Sequence, residues 1–99
     1  MHSVMELLVF SLVEGADEAA FLAADKRVQT EFAYQQPGLL RRTTARGKND
    51  SWAVLDLWST EQAADECNAR WESDPAARAF MAFVDPATVR TARFYELEG

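Results

Sequence analysis

A single carboxylate between two tryptophans is the part of this sequence best suited to chemistry. The three residues are Trp52, Asp56 and Trp58, and they lie in the apolar stretch 51–59. Alternate side chains of a β-strand point to opposite faces, so all three share one face of a strand. Apolar cover raises the pKa of a carboxylate and allows it to act as a general base. The tryptophan rings offer broad faces on which a flat aromatic ligand could stack.

Each of these residues also has a structural interpretation. Trp52 and Trp58 would then be core aromatics packed under helices. Asp56 would form a cross-strand ion pair with an arginine of a neighbouring strand, such as Arg42 or Arg93. Glu6, in the first apolar strand of the chain, has the same two interpretations. The sequence alone leaves both alternatives open.

Other catalytic arrangements have few residues to support them. The only histidine, His2, lies near the N-terminus, so the chain has no Ser/His/Asp set. No cluster of His, Cys, Asp and Glu has the spacing of a metal site, and no glycine-rich loop could hold a phosphate. Cys67 is the only cysteine, and its core-facing helical position indicates a buried, inert thiol. We therefore expect neither a metal nor a cofactor.

Composition restricts the class of protein further. A length of 99 residues with 48% hydrophobic residues predicts one domain, spanning 1–99, with a real core. The net charge of −6 argues against binding to nucleic acid or to an anionic membrane surface. No apolar run approaches the ~20 residues of a membrane span, and the N-terminus does not resemble a signal peptide. We expect a cytoplasmic protein.

Hydrophobic periodicity divides the chain into six elements. Apolar runs predict strands over 4–13, 39–46, 51–59 and about 87–97, and helical spacing predicts helices over 18 to about 35 and from 59 to 84. In the first helix, Asp25 is assigned to the polar side. For the second helix, Ser59 and Gln62 form a capping box, and Asp74 with Pro75 restarts the helix midway.

The order strand, helix, strand, strand, helix, strand predicts an α+β fold. With right-handed crossovers it gives a ferredoxin-like antiparallel sheet of order 4-1-3-2 with the helices on one side. Strands one and three then lie in the centre, and both of their faces are apolar. Because the helices cover only one face, we expect the open face to pack on a second copy of the chain in a homodimer.

Three local motifs add a resemblance to a known group of proteins. They are Leu-Trp-Ser-Thr-Glu-Gln-Ala at 57–63, Trp-Glu-Ser-Asp at 71–74 and Gln-Pro-Gly-Leu at 36–39. In these motifs and in element order, the chain resembles the dimeric α/β-barrel superfamily, and within it the small antibiotic-biosynthesis-monooxygenase-like domains. The superfamily includes cofactor-free oxygenases of aromatic polyketides, haem-degrading enzymes, isomerases and small proteins without an assigned activity. The resemblance implies that two sheets pair into a dimeric α/β barrel.

The haem-degrading branch of the superfamily matches this chain poorly. Its strand-three tryptophan corresponds to Trp58, but its haem-ligating histidine corresponds to Phe80 and its strand-one asparagine to Leu8. Phenylalanine cannot ligate iron, and leucine cannot donate a hydrogen bond. The resemblance therefore does not extend to haem, and cofactor-free chemistry remains.

Two functions are left, and both use the same pocket. The chain is a cofactor-independent monooxygenase-like enzyme for a small aromatic or hydrophobic substrate, with Asp56 as the base, or a non-catalytic small-ligand-binding or stress-related dimer. The pocket is expected between the helices and the face of the sheet that carries Asp56. This follows from the alternation of side chains along the strands and from the resemblance of Trp58 to the pocket tryptophan of the superfamily. The expected ligand-binding residues are Leu8, Phe10, Trp58, Trp71 and Phe80. A pocket carboxylate without a cross-strand partner favours the enzyme, and a filled core with a salt-bridged Asp56 favours the binder.

Overall fold

A computed structural model describes residues 2–97 and contains four strands and three α-helices. The elements are β1 (Val4–Ser11), α1 (Glu18–Glu31), β2 (Leu39–Arg46), β3 (Ser51–Trp58), α2 (Glu61–Trp71), α3 (Pro75–Met81) and β4 (Arg90–Tyr95). The strands form one antiparallel sheet in the order β2-β3-β1-β4. This order is the predicted 4-1-3-2 read from the other edge, so the ferredoxin-like α+β fold is confirmed. Each helix within 2–97 is too short or too polar to cross a bilayer.

Polar caps fix where the helices begin. The side chain of Asp74 accepts a hydrogen bond from the Ala77 amide at 2.9 Å, as predicted for the start of α3. The predicted cap of α2 is wrong by one residue. Thr60, not Ser59, accepts from the amide of Ala63, at 3.1 Å. The Ser59 amide instead donates to the Gly38 carbonyl at 2.8 Å, which holds Ser59 outside the helix.

The last strand is shorter than predicted, because a 3₁₀ turn at Pro86–Thr88 comes before it. The Asp85 side chain caps this turn by accepting from the amide of Ala87 at 3.0 Å. The first helix is also shorter than predicted: it ends at Glu31 and is followed by a second 3₁₀ turn, Ala33–Gln35. In both places a local turn satisfies the backbone that the periodicity assigned to a regular element.

The hydrophobic core lies between the helices and one face of the sheet. β3 contributes Trp52, Val54 and Trp58 to this core, and these are the side chains predicted to share a face with Asp56. Trp52 packs among aromatic and aliphatic side chains of β1, α1 and α3, whereas Trp58 packs against β1, α2 and the end of α1. The Asp56 face of the sheet is therefore the face under the helices.

The opposite face of the sheet is apolar and open in the single chain. Its apolar side chains come from alternate positions of the three strands β1, β3 and β4: Met5, Leu7, Val9, Ala53, Leu55, Leu57, Ala92 and Phe94. Arg90, opposite Val9 at the start of β4, is on the same face. Leu55 is 37% exposed and Phe94 is 52% exposed. The face of both central strands that points away from the helices is thus apolar, as the sequence predicted.

Two glycines with positive φ provide a test of how closely α2 approaches the loop before β2. A Cβ at Gly38 would lie 2.6 Å from the Cβ of Ala63, whereas a Cβ at Gly15 would meet nothing within 4 Å. The φ angles are similar, 85° and 76°, so the backbone penalty is similar in both. We expect Gly38→Ala to lower the free energy of unfolding by about 1–3 kcal/mol more than Gly15→Ala, because the extra methyl group overpacks the contact. Urea denaturation of both variants measures this difference, and equal losses would contradict the close approach.

Candidate functional site

A cavity of about 430 Å³ lies between the sheet and the helices. This volume is within the range of sites that hold drug-sized ring systems. Four of the five residues predicted to bind a ligand line the cavity, and so does the predicted base Asp56. The four are Leu8 from β1, Trp58 from β3, Trp71 from α2 and Phe80 from α3. Phe32 and Ala33, at the end of α1 and in the turn after it, complete the apolar wall.

The fifth predicted residue, Phe10, does not line the cavity. Its ring packs edge-on against Phe21 and Phe80, with ring centroids 5.9 and 5.7 Å apart. The alternation of side chains along β1 placed Phe10 on the correct face of the sheet. At this position, however, side chains of α1 and α3 pack directly over it. Trp52 is in the same part of the core, with its ring 5.0 Å from that of Phe21. Phe10 and Trp52 are therefore core residues, and Phe10 supports Phe80 from behind.

Four charged side chains form a row across the sheet beneath the helices. In order across the strands they are Arg42 of β2, Asp56 of β3, Glu6 of β1 and Arg93 of β4, each directly opposite the next. Directly opposite residues of antiparallel strands share a face, so the row forms the polar part of the cavity wall. The row separates the two arginines considered as partners for Asp56: Arg42 is its neighbour, whereas Arg93 is two strands away.

At one end of the row, Arg93 and Glu6 are fully engaged. The Nη2 of Arg93 lies 2.8 Å from Oε2 of Glu6, and its Nη1 lies 3.0 and 2.9 Å from carboxylates of Glu61 and Asp65 on α2. The side-chain amide of Asn68 also donates to Glu6, at 3.3 Å. Of the two interpretations of Glu6, these contacts favour the ion pair, which joins the sheet to α2.

At the other end, Arg42 turns away from Asp56. Its Nη2 donates to Oδ1 of Asp25 on α1 at 2.8 Å, and its Nη1 donates to Thr44 at 3.3 Å. The guanidinium lies over the ring of Phe80, 5.7 Å from the centroid. The Nε of Arg42 is 3.9 Å from Oδ1 of Asp56, beyond hydrogen-bonding distance.

Asp25 corrects the sequence-based assignment of the first helix. Its side chain was assigned to the polar side, but it is buried, and only 7% of the residue is exposed. Asp25 lies four residues after Phe21 and three before Val28, and both of these are buried core residues. That spacing puts Asp25 on the same helical stripe, and this was the available indication in the sequence.

Asp56 is a carboxylate with little compensation for its burial. Oδ1 is buried and has no hydrogen-bond partner among the described residues. The side chain as a whole is 27% exposed, and Asp56 lines the cavity. Burial raises the pKa of Asp56 to about 6, the charge of Arg42 opposes this rise, and the carboxylates of Glu6 and Asp25 add to it. The group is thus close to its titration point at neutral pH, as a general base should be.

The other polar groups near Asp56 are less reactive. The Nε1 of Trp58 is buried without a hydrogen-bond partner in residues 2–97. Burial, with the nearby charge of Asp56, raises the pKa of the Cys67 thiol to about 12, which agrees with the predicted inert thiol. Within the described part of the chain, no group of three or more His, Cys, Asp or Glu side chains is arranged to hold a metal ion.

The raised pKa of Asp56 predicts a pH dependence of stability. The folded chain keeps a proton on Asp56 up to about pH 6, whereas the unfolded chain loses it near the ordinary value of 3.8. The folded state binds more protons in this window, so the contribution of Asp56 to the free energy of unfolding falls by about 3 kcal/mol as the pH rises through it. Asp56→Asn cannot lose a proton. Its stability relative to the wild type should therefore increase between pH 4 and pH 7.5.

Urea denaturation of both proteins at the two pH values measures this change. The comparison is between variant and wild type at each pH, so the titration of other carboxylates largely cancels. A stability difference that is the same at both pH values would contradict a raised pKa for Asp56.

Comparison with known proteins shows what this fold shares with others. No family model matches the sequence, and no curated protein is detectably related to it by sequence. Among solved structures, SnoaB from Streptomyces nogalater, a cofactor-independent oxygenase, has a TM-score of 0.80 at 22% identity, over 100% of this chain and 97% of that chain. A proposed antibiotic biosynthesis monooxygenase from Caulobacter crescentus has a TM-score of 0.80 at 15% identity, over 98% and 92%.

A third similar structure is described as dimeric. It is a dimeric ferredoxin-like protein from an uncultured marine organism, with a TM-score of 0.74 at 13% identity, over 100% of this chain and 91% of that chain. At these identities the likeness concerns the fold alone. The chain has the ferredoxin-like fold of the antibiotic biosynthesis monooxygenase-like proteins.

Proposed function

We propose that the chain is a cofactor-independent monooxygenase-like enzyme for a small aromatic or hydrophobic substrate. The observation that carries this proposal is the carboxylate of Asp56, which lines a cavity with aromatic walls and has one oxygen buried without a hydrogen-bond partner. An exposed or fully ion-paired carboxylate would be a weaker base, because water or the partner would stabilise its charge. The likeness of the fold to a cofactor-independent oxygenase supports the same function.

In the proposed reaction, Asp56 removes a proton from an acidic C–H group of the bound substrate. The electron pair of that bond remains on the substrate, and the carbanion reduces dioxygen and forms a C–O bond to it. The distal oxygen of the peroxide takes the proton back from Asp56. Removal of the second C–H proton and departure of the distal oxygen as hydroxide then break the O–O bond and leave a carbonyl group. That proton and the hydroxide together form one water. One dioxygen thus converts a CH₂ group into C=O and one water, and the protein supplies the base and the aromatic walls that hold the substrate against it.

The aromatic wall of the cavity fits such a substrate. Trp71 is partly buried, and its ring packs edge-on against Phe32 and Phe80 at centroid distances of 5.5 and 6.0 Å. These three rings and Trp58 give the cavity apolar sides, and the charged row supplies a few oriented polar groups. A planar ring system would lie with its reactive carbon towards Asp56.

The second candidate is a non-catalytic dimer that binds a small ligand. The long contact of 3.9 Å between Arg42 and Asp56 favours it, because an ion pair at that distance still stabilises the carboxylate. Both candidates predict binding of an aromatic ligand in the cavity. They differ in whether dioxygen is consumed and whether the rate depends on Asp56.

A hydroxyanthrone as the test substrate distinguishes the two candidates. With the wild type, oxygen uptake should exceed the background rate. Asp56→Asn should lower the rate by about 10²–10⁴-fold, the usual contribution of a general base, with little change in anaerobic binding. Trp71→Leu serves as the matched control, since it should weaken binding and leave the base in place. An oxygen electrode and tryptophan fluorescence measure the two quantities. Unchanged turnover of Asp56→Asn would remove Asp56 as the base, and binding without turnover would support the second candidate.

We also propose that two copies of the chain pack through the open sheet face. The two central strands present an apolar face to solvent, with Leu55 and Leu7 directly opposite one another. A dimeric structure of the same fold supports a second copy of this chain as the occupant.

A charge on this face should prevent assembly. We expect Leu55→Lys to convert a dimer into a monomer at micromolar concentration, because the ammonium group would lose its hydration in the interface. Leu22→Lys on α1 is the matched control, since Leu22 is similarly exposed, at 43%, but lies on a helix. Sedimentation equilibrium measures the mass. A wild type that is already monomeric would overturn the proposal.

A further inference from the structure

The buried carboxylate of Asp25 is not explained by packing alone. It lies on the apolar stripe of α1, where an aliphatic side chain would fill the core without the cost of burying a charge. Its Oδ1 accepts from Arg42 at 2.8 Å and from the Thr44 hydroxyl at 2.9 Å. Both of these partners are on β2. Asp25 thus links the first helix to the strand beside Asp56.

Arg42 would have a closer partner if Asp25 were absent. It is directly opposite Asp56 on the neighbouring strand, where Cβ atoms are about 5 Å apart and a full ion pair can form. Instead, the Nη2 of Arg42 is held by Asp25 and its Nη1 by Thr44. Its Nε, the nearest nitrogen to Asp56, remains 3.9 Å away. The orientation of the guanidinium therefore leaves Asp56 without a hydrogen bond from it.

We propose that Asp25 is a positioning residue that holds Arg42 away from Asp56 and so keeps the Asp56 carboxylate available as a proton acceptor in the cavity. The catalytic consequence rests on the proposed function, whereas the positioning itself rests only on geometry. Asp25 would act through Arg42 and would not touch the substrate. Arg42 would remain close enough to limit the cost of a buried carboxylate without covering it.

Apart from Arg42, the groups around Asp56 offer no cation that is free to pair with it. Glu6 of β1 is next to Asp56 but is held by Arg93 of β4, and Arg93 is also paired with Glu61 and Asp65 of α2. Cys67 of α2 lies nearby as a thiol of raised pKa. Among these groups only Arg42 is a cation that Asp56 could newly engage without breaking the cluster around Arg93.

The first experiment is a titration of Asp56 in the Asp25→Asn variant of the full chain. The side chain keeps its shape and can still accept a hydrogen bond, so the fold should be retained. Without the negative charge, Arg42 should turn towards Asp56, and a nitrogen of its guanidinium should come within hydrogen-bonding distance of the Asp56 carboxylate in a crystal structure of the variant. The pKa of Asp56, measured by carboxyl ¹³C NMR, should fall by about one pH unit or more, in part because the charge of Asp25 is itself lost. An Arg42 that stays on residue 25, away from Asp56, would overturn the proposal even if the pKa falls, and so would an unchanged pKa of Asp56.

A second variant separates positioning from a loss of packing. Asp25→Asn combined with Arg42→Met removes both charges and leaves no guanidinium to approach Asp56. The pKa of Asp56 should then rise above the wild-type value, because Arg42 is the larger of the two charge effects and burial is retained. If the substitutions merely loosened the core, the pKa of Asp56 would fall towards its ordinary value in both variants. Movement in opposite directions is the expected result, and a fall in both would overturn the proposal.

Oxygen uptake separates the failure of this inference from that of the proposed function. If hydroxyanthrone turnover depends on Asp56, Asp25→Asn should shift the pH–rate profile to lower pH together with the measured pKa of Asp56. If no turnover is found in any variant but Arg42 turns to Asp56 in Asp25→Asn and the two pKa changes occur, the proposed function fails and the positioning role of Asp25 stands. If turnover depends on Asp56 but its pKa and profile are the same in Asp25→Asn, the positioning role fails alone.

Discussion

The ion pair between Asp25 and Arg42 is the interaction on which the candidate site depends. It joins α1 to β2 through one buried carboxylate and one buried guanidinium, 2.8 Å apart. Breaking a buried pair of this kind leaves an uncompensated charge, so the pair fixes how the helix lies on the edge of the sheet. It also determines which direction the arginine faces. The orientation of Arg42 in turn decides how much of the Asp56 carboxylate remains unpaired.

Close cationic partners are shared unevenly along the charged row, and Asp56 is the carboxylate that lacks one. At the β4 end, Arg93 satisfies Glu6 and two carboxylates of α2, which ties the sheet to that helix. At the β2 end, Arg42 satisfies Asp25. Asp56 lies between these two saturated ends, next to apolar rings, and burial dominates its pKa. The same charges that hold α1 and α2 on the sheet thus leave one carboxylate in the cavity wall with weak support.

Strand parity predicted much of this arrangement from the sequence. Alternation alone placed Asp56 and Trp58 on one face, and the order of elements gave the sheet order that put this face under the helices. The role of Asp25 could not be read in the same way, because a polar residue on an amphipathic helix is usually assigned to solvent. Its partner Arg42 is 17 residues away, and only the packing of α1 on β2 shows that they meet. Phe10 was predicted to line the pocket for a related reason. The alternation of side chains gives the face of the sheet on which a residue lies, but not whether a helix packs over it.

Removal of a proton from a ligand in the cavity by Asp56 can be followed by anaerobic deuterium exchange. A hydroxyanthrone is incubated with the protein in D₂O without dioxygen, and NMR follows the loss of its acidic C–H signal. With Asp56 as the base, the wild type should accelerate this exchange and Asp56→Asn should not, although both bind the ligand. Equal exchange rates in the two proteins, with the ligand bound to both, would contradict the claim.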